Sequence, residues 1–157
     1  RLGIAQAILH DPKVLIVDEP TAGLDPEERV RFRNLLSEIA EDRIVILSTH
    51  IVGDVEAACE EIAVMDEGKI IYRGTVEELV NLVEGRVYRA EISRKELERL
   101  KSEYTATSMI TLGNNVMVRF LSETTPFQGA QHCDAGVEDA YMYLMQKEGK
   151  TYDHDSL

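Results

Sequence analysis

Val14-Leu15-Ile16-Val17-Asp18-Glu19-Pro20, continued by Thr21-Ala22-Gly23-Leu24-Asp25-Pro26, is the stretch on which the reading of this chain turns. Four consecutive apolar residues, three of them β-branched, predict a strand buried on both faces, the pattern of a central strand in a parallel sheet. Pro20 has no N–H to continue a ladder and biases Glu19 toward extended backbone, so the strand should end where the two acids begin. Asp18 and Glu19 then stand at the C-terminal end of the strand, the edge at which open α/β sheets bind ligands. An acidic pair so placed suits a metal ion and a water molecule.

Working outward, Asp25-Pro26-Glu27-Glu28 is a strong helix start. Asp25 can cap, Pro26 fits the first helical position and Glu28 falls at the capping-box position. Phe32, Leu35, Leu36 and Ile39 then recur on one helical face until Glu41-Asp42. Ile44-Val45-Ile46-Leu47 follows as a second buried strand, ending in Ser48-Thr49-His50. A strand, helix, strand order predicts a right-handed parallel crossover, which brings His50 to the same sheet edge as Glu19. Upstream, residues 1–10 carry Leu2, Ile4, Ala5, Ile8 and Leu9 at helical spacing, and Asp11-Pro12 ends that helix.

Beyond His50 the pattern changes. A short helix is expected around Asp54 to Glu60. Ile62–Met65 and Ile70–Gly74 flank Asp66-Glu67-Gly68-Lys69 as a β-hairpin, and Thr75 with Glu78 forms a second capping box. Gly85 marks a change of composition and the expected domain boundary. After it the sequence predicts a strand over 86–92, a helix over 95–104, a strand over 108–112, a turn at Asn114-Asn115, a strand over 116–121 and a loop over 122–136. A final helix carries Val137, Ala140, Tyr141, Leu144 and Met145. The division is therefore an α/β unit over 1–85, a small α+β accessory domain over 86–149 and a disordered polar tail over 150–157.

The 157 residues, 44% hydrophobic, suffice for one ordinary domain or two small ones. No apolar run approaches the roughly 18–20 residues of a membrane span, and Arg1-Leu2-Gly3 does not open a signal peptide. The start lies inside an amphipathic pattern and is not Met, so a piece of a longer chain is expected. A net charge of −12 argues against nucleic acid or an anionic membrane surface as the main partner. Any nucleotide phosphate would need Mg²⁺ or basic residues from elsewhere. Cys59 and Cys133, far apart in sequence, read as free thiols of a reducing compartment. His132-Cys133-Asp134 lacks the matching second pair of a metal site. Tyr141, Met142 and Met145 read as a packed helix face. Glu60-Glu61 and Glu77-Glu78 read as solvated faces or caps.

Asp18-Glu19-Pro20-Thr21-Ala22-Gly23-Leu24-Asp25-Pro26, together with Ser48-Thr49-His50, resembles the Walker B strand, D-loop and switch histidine of the ATP-binding cassette (ABC) ATPases. The resemblance covers residues 1–82, the C-terminal part of that family's nucleotide-binding domain. It implies an α/β fold, a partial P-loop NTPase parallel sheet with helices, followed by the α+β accessory domain. It further implies that Asp18 holds Mg²⁺, that Glu19 is the general base or water-orienting group, and that His50 contacts the γ-phosphate of ATP. Asp25 would be the D-loop acid that contacts the opposing subunit and couples two ATP sites. The opening helix resembles the one that follows the ABC signature loop. The hairpin Glu67-Gly68-Lys69-Ile70-Ile71-Tyr72-Arg73-Gly74-Thr75 and the run Val137-Glu138-Asp139-Ala140-Tyr141 look most like the ATPase subunits of bacterial ABC-2-type exporters.

The family implies a homodimer of nucleotide-binding subunits that sandwiches two MgATP at the cytoplasmic face of a membrane and drives an integral membrane permease. No nucleic-acid partner is expected. The 157 residues contain no G-x-x-x-x-G-K-[ST] phosphate loop, and Gly68-Lys69 is no substitute, since it sits in a hairpin without the upstream glycine or following hydroxyl. The chain by itself is therefore expected not to bind ATP tightly or hydrolyse it. Two other readings stay open: an ABC ATPase working outside transport, in chromosome maintenance or translation, and, for 86–149, a non-catalytic regulatory or dimerisation module.

Overall fold

The computed structural model describes residues 2–147; the tail expected to be disordered over 150–157 lies outside the described residues. The chain divides into two compact units between Glu60 and Glu61.

The first unit runs α1 (Leu2–Ile8), β1 (Val14–Asp18), α2 (Pro26–Ala40), β2 (Ile44–Ser48) and α3 (Val52–Ala58). Strands β1 and β2 are parallel and pair in register from Val14 with Ile44 to Asp18 with Ser48. Because strand side chains alternate, Leu15 and Val17 fall on one face, where they are buried with Leu36 of α2 among Phe32, Ile39, Val45 and Leu47. Val14, Ile16, Ile44 and Ile46 lie on the other face and are exposed, Ile16 at 72% and Ile44 at 62%. The strands expected to be buried on both faces are therefore covered on one only. The crossover helix of a two-stranded parallel pair covers one face, and the second apolar set is left to solvent.

Glu19 departs from its expected extended backbone. It is not extended but left-handed, with φ +43°. Its N–H still donates to the Ser48 carbonyl at 2.9 Å, and its own carbonyl accepts from Ala22 N–H at 3.2 Å, so the chain reverses there despite the preference set by Pro20. Strand β2 stops at Ser48, two residues short of His50, and α3 starts two residues earlier than expected, directly after Ile51.

In the second unit, β3 (Glu61–Asp66) and β4 (Lys69–Thr75) form an antiparallel hairpin. Its two-residue turn, Glu67 at φ +45° and Gly68 at φ +76°, matches the twist of the strands as a type I′ turn does. Thr75 and Glu78 complete the expected capping box of α4 (Val76–Asn81), with hydrogen bonds of 3.1 and 2.9 Å. Then follow β5 (Val87–Ser93), α5 (Leu97–Glu103), β6 (Thr105–Leu112), β7 (Asn115–Leu121), β8 (Gln131–His132) and α6 (Val137–Lys147). The antiparallel sheet has the order β6-β7-β5-β8.

Its core holds Ala90, Ile92, Leu100, Ala106, Val116, Val118 and Phe120, with Leu97 of α5 and Tyr104 packed against it. Helix α6 buries Val137, Ala140, Tyr143 and Met145 and packs against α4, β6 and β7. The packing of α4 on α6 is why the hairpin and α4 group with the second unit, although the composition changes only at Gly85. The β6–β7 turn lies at Gly113-Asn114, one residue earlier than expected, because Gly113 supplies the positive φ of +60°. The segment expected to be all loop contains β8, which adds to the edge of β5 through Tyr88 and Arg89.

Candidate functional site

The parallel register brings the ends of β1 and β2 side by side. Asp18 faces Ser48, whose hydroxyl donates to its carboxylate. One residue on, Glu19 turns its carboxylate toward the segment leaving β2. Oε1 accepts the His50 backbone N–H at 3.0 Å and stands 2.7 Å from His50 Nδ1. Oε2 lies 3.5 Å from the Thr49 hydroxyl, which itself accepts from Ile51 N–H at 3.0 Å. A carboxylate can only accept, so Nδ1 carries the hydrogen in this contact, and Nε2 is left for another partner. The His50 side chain is 77% exposed and that of Glu19 34%. The pair is thus open to a solute.

Three of the four expected site residues, Asp18, Glu19 and His50, converge on one strand edge. Asp25 stands at the start of α2, in the capping position its sequence predicts. It is the N-cap of α2, its Oδ1 accepting Glu28 N–H at 2.8 Å, with Pro26 at the first helical position. Gly23, at φ +74°, supplies the reversal that leads into this cap.

Asp18 and the Ser48 hydroxyl are hard oxygen donors side by side, suited to a hydrated Mg²⁺ that takes one or two carboxylates and completes its shell with water and phosphate. Among the described residues, no group of three or more His, Cys, Asp or Glu could cage a metal ion. His132 packs edge-on against Tyr88 at 5.6 Å, and Cys133 lies 3.4 Å from an Arg119 nitrogen.

Beneath the exposed pair lies a polar contact that the sequence reading did not single out. Thr21 and Asp54 are both buried, and the Thr21 hydroxyl donates to Asp54. Arg33 of α2 donates to the Gly53 carbonyl at 2.9 Å and stands 3.4 Å from Asp54 Oδ1. Thr21 sits inside the motif stretch and Asp54 at a helix start, where a polar residue is ordinary. Neither spacing nor periodicity marks them as partners. Cys59, which ends α3, has its thiol pushed up from the ordinary value, first by burial and then by the Asp54 charge.

No family model matches the chain. Curated relatives do. "Uncharacterized ABC transporter ATP-binding protein YxlF" of Bacillus subtilis (strain 168) is 36% identical over 73% of this chain and 38% of its own length. "Uncharacterized ABC transporter ATP-binding protein YhcH" of the same organism is 35% identical over 80% of this chain and 41% of its own. "Nod factor export ATP-binding protein I" of Cupriavidus metallidurans is 31% identical over 94% of this chain and 52% of its own. The chain thus spans about half or less of the length of these relatives. Among the described residues, no helix is long and apolar enough to cross a membrane. Over most of its length, this chain belongs to the family of ABC transporter ATP-binding proteins.

Proposed function

We propose that residues 1–85 are the C-terminal part of a P-loop NTPase nucleotide-binding domain that hydrolyses MgATP, and that residues 86–149 are its accessory domain. The observation that carries this reading is the contact of Glu19 with His50 beside Asp18, at the adjoining ends of two parallel strands. Mg²⁺, when bound, would neutralise phosphate charge. Asp18 would hold it beside the Ser48 hydroxyl. Glu19 would orient the attacking water and accept its proton, an arrangement in which catalysis is mostly positioning and electrostatics. His50, held by Glu19 through Nδ1, would turn its other ring nitrogen toward the γ-phosphate. Asp25 would mark the segment that meets an opposing subunit, while its side chain caps α2.

In this reading the working molecule is a homodimer at the cytoplasmic face of a membrane, coupled to an integral permease. The name of the Cupriavidus relative and the hairpin around Gly68 favour export. The relatives are about twice as long or more, and the phosphate loop would come from sequence beyond these residues. The 157-residue chain alone would then show no saturable micromolar binding of MgATP, which a calorimetric titration reads directly.

The deciding experiment is MgATP turnover and ATP-dependent dimerisation of the full-length polypeptide, wild type against Glu19→Gln. Collapse of turnover with accumulation of ATP-bound dimers supports the role of Glu19 after assembly. Unchanged turnover removes it.

A further inference from the structure

The two loops that meet at Glu19 and His50 meet a second time out of reach of solvent. Thr21, two residues after Glu19, is 1% exposed, and Asp54, four residues after His50, is 0% exposed. The Thr21 hydroxyl donates to one Asp54 oxygen, and Arg33 faces the other at 3.4 Å while donating to the adjacent Gly53 carbonyl at 2.9 Å. A carboxylate removed from water destabilises the fold unless its oxygens are paired, so this contact can hold only with its partners in place. Asp54 also lies in the first turn of α3, where a negative charge is favoured.

The strained residue of the site sits between these two contacts. Glu19 is a non-glycine residue at φ +43° with proline next in the chain. Such a conformation persists only where its surroundings over-determine it. The Ser48 carbonyl holds the Glu19 N–H on one side. On the other side, the first side-chain anchor after Pro20 is Thr21. Without that anchor, Pro20 would draw Glu19 back to the extended region and carry its carboxylate away from His50.

We propose that Asp54 is a positioning residue: acting through Thr21, with Arg33 as its counter-charge, it holds Glu19 in the left-handed backbone that presents the carboxylate to His50. Asp54 itself touches no reacting atom. That Glu19 and His50 act on ATP rests on the function proposed above, but the clasp is defined and testable without it.

The test compares the full 157-residue chain with Asp54→Asn, Thr21→Val and Thr21→Ser. Thr21→Val keeps the shape and removes only the hydroxyl, and Thr21→Ser restores it. The readouts are amide hydrogen exchange at His50, whose N–H is bonded to Glu19, and the ¹⁵N signal of its imidazole Nδ1. We expect exchange at His50 to quicken by about tenfold or more in Asp54→Asn and Thr21→Val, with Val45 and Leu47 of β2 unchanged. The Nδ1 signal should move toward that of a free imidazole, and Thr21→Ser should match the wild type. If Asp54→Asn loosens all of β1 and β2, the two Thr21 variants decide alone. Unchanged His50 signals in Thr21→Val, or a Thr21→Ser variant that behaves like Thr21→Val, overturns the proposal. A Glu19→Gln enzyme with normal turnover would remove the ATPase role of Glu19 and leave the clasp standing.

Discussion

His50 meets Glu19 twice, through its backbone N–H at 3.0 Å and through Nδ1 at 2.7 Å, and both contacts go to the same carboxylate oxygen. The imidazole is thereby oriented by the group expected to handle the water, and its far nitrogen is left for another partner. If that nitrogen serves developing phosphate charge, His50→Ala should lower MgATP turnover of the full-length polypeptide by about 10²–10³-fold, the usual loss when one such donor is removed. The KM should change little, because the interaction strengthens only as charge develops. Steady-state kinetics check this. A rise in KM at constant kcat would make His50 a ground-state binding group instead.

Arg119 and Asp139 form the principal polar contact of the second unit. Arg119 reaches Asp139 through Nε at 2.9 and 3.0 Å and through Nη2 at 2.6 Å, and Asp139 also accepts from Thr107 and from Gly136 N–H. Asp139 is 1% exposed. Asp139→Leu would leave the half-buried guanidinium without its partner, so unfolding in urea should show a loss of about 3 kcal/mol or more. Replacing both residues with apolar ones of similar volume, Arg119→Met with Asp139→Leu, should recover much of that loss. A double variant as unstable as the single one would mean that the Thr107 and Gly136 bonds carry the effect.

Much of this arrangement was legible in the sequence, and the parts that were not share a physical cause. Local signals worked where the interaction is local: Asp25 caps α2, Thr75 and Glu78 close a capping box, and Glu67-Gly68 turns a hairpin. The parallel strand pair and the meeting of Glu19 with His50 followed from the strand, helix, strand order. Three features depend on what surrounds a residue and stayed hidden. Glu19 takes left-handed backbone against the preference set by Pro20, because hydrogen bonds on both sides outweigh it. Thr21 finds Asp54 across 33 residues, which no periodicity encodes. β8 is two residues long, too short for any alternation to register.

The two thiols give a pH-dependent prediction. Cys59 is pushed up by burial and by the Asp54 charge; Cys133 is pushed up mainly by burial, although Arg119 beside it pulls the other way. Both should stay protonated near neutral pH and react with iodoacetamide more slowly than a peptide thiol, since the thiolate is the nucleophile. The sign for stability follows. With the folded value above the unfolded one of 9.0, the unfolded chain loses its protons first as pH rises. Their contribution is therefore full below pH 9.0 and lost as pH climbs through the folded value. Equal alkylation rates in native and denatured chain would contradict this.

The outer face of the β1–β2 pair makes a prediction about the chain in solution. Val14, Ile16, Ile44 and Ile46 stand together there, each 48% exposed or more, on strands whose other face carries Leu15 and Val17, buried, and Val45 and Leu47, partly buried. Contiguous apolar surface of this kind binds hydrophobic dyes and drives association. The 157-residue chain should therefore enhance the fluorescence of anilinonaphthalene sulfonate and show concentration-dependent association in sedimentation. Ile16→Thr combined with Ile46→Thr keeps β-branched side chains on the strands while adding hydroxyls to that face. The double variant should lose most of the dye signal and keep its circular dichroism. If the dye signal survives, the accessible apolar surface lies elsewhere, and the exposed β-hairpin residues Met65 and Ile70 become the place to look.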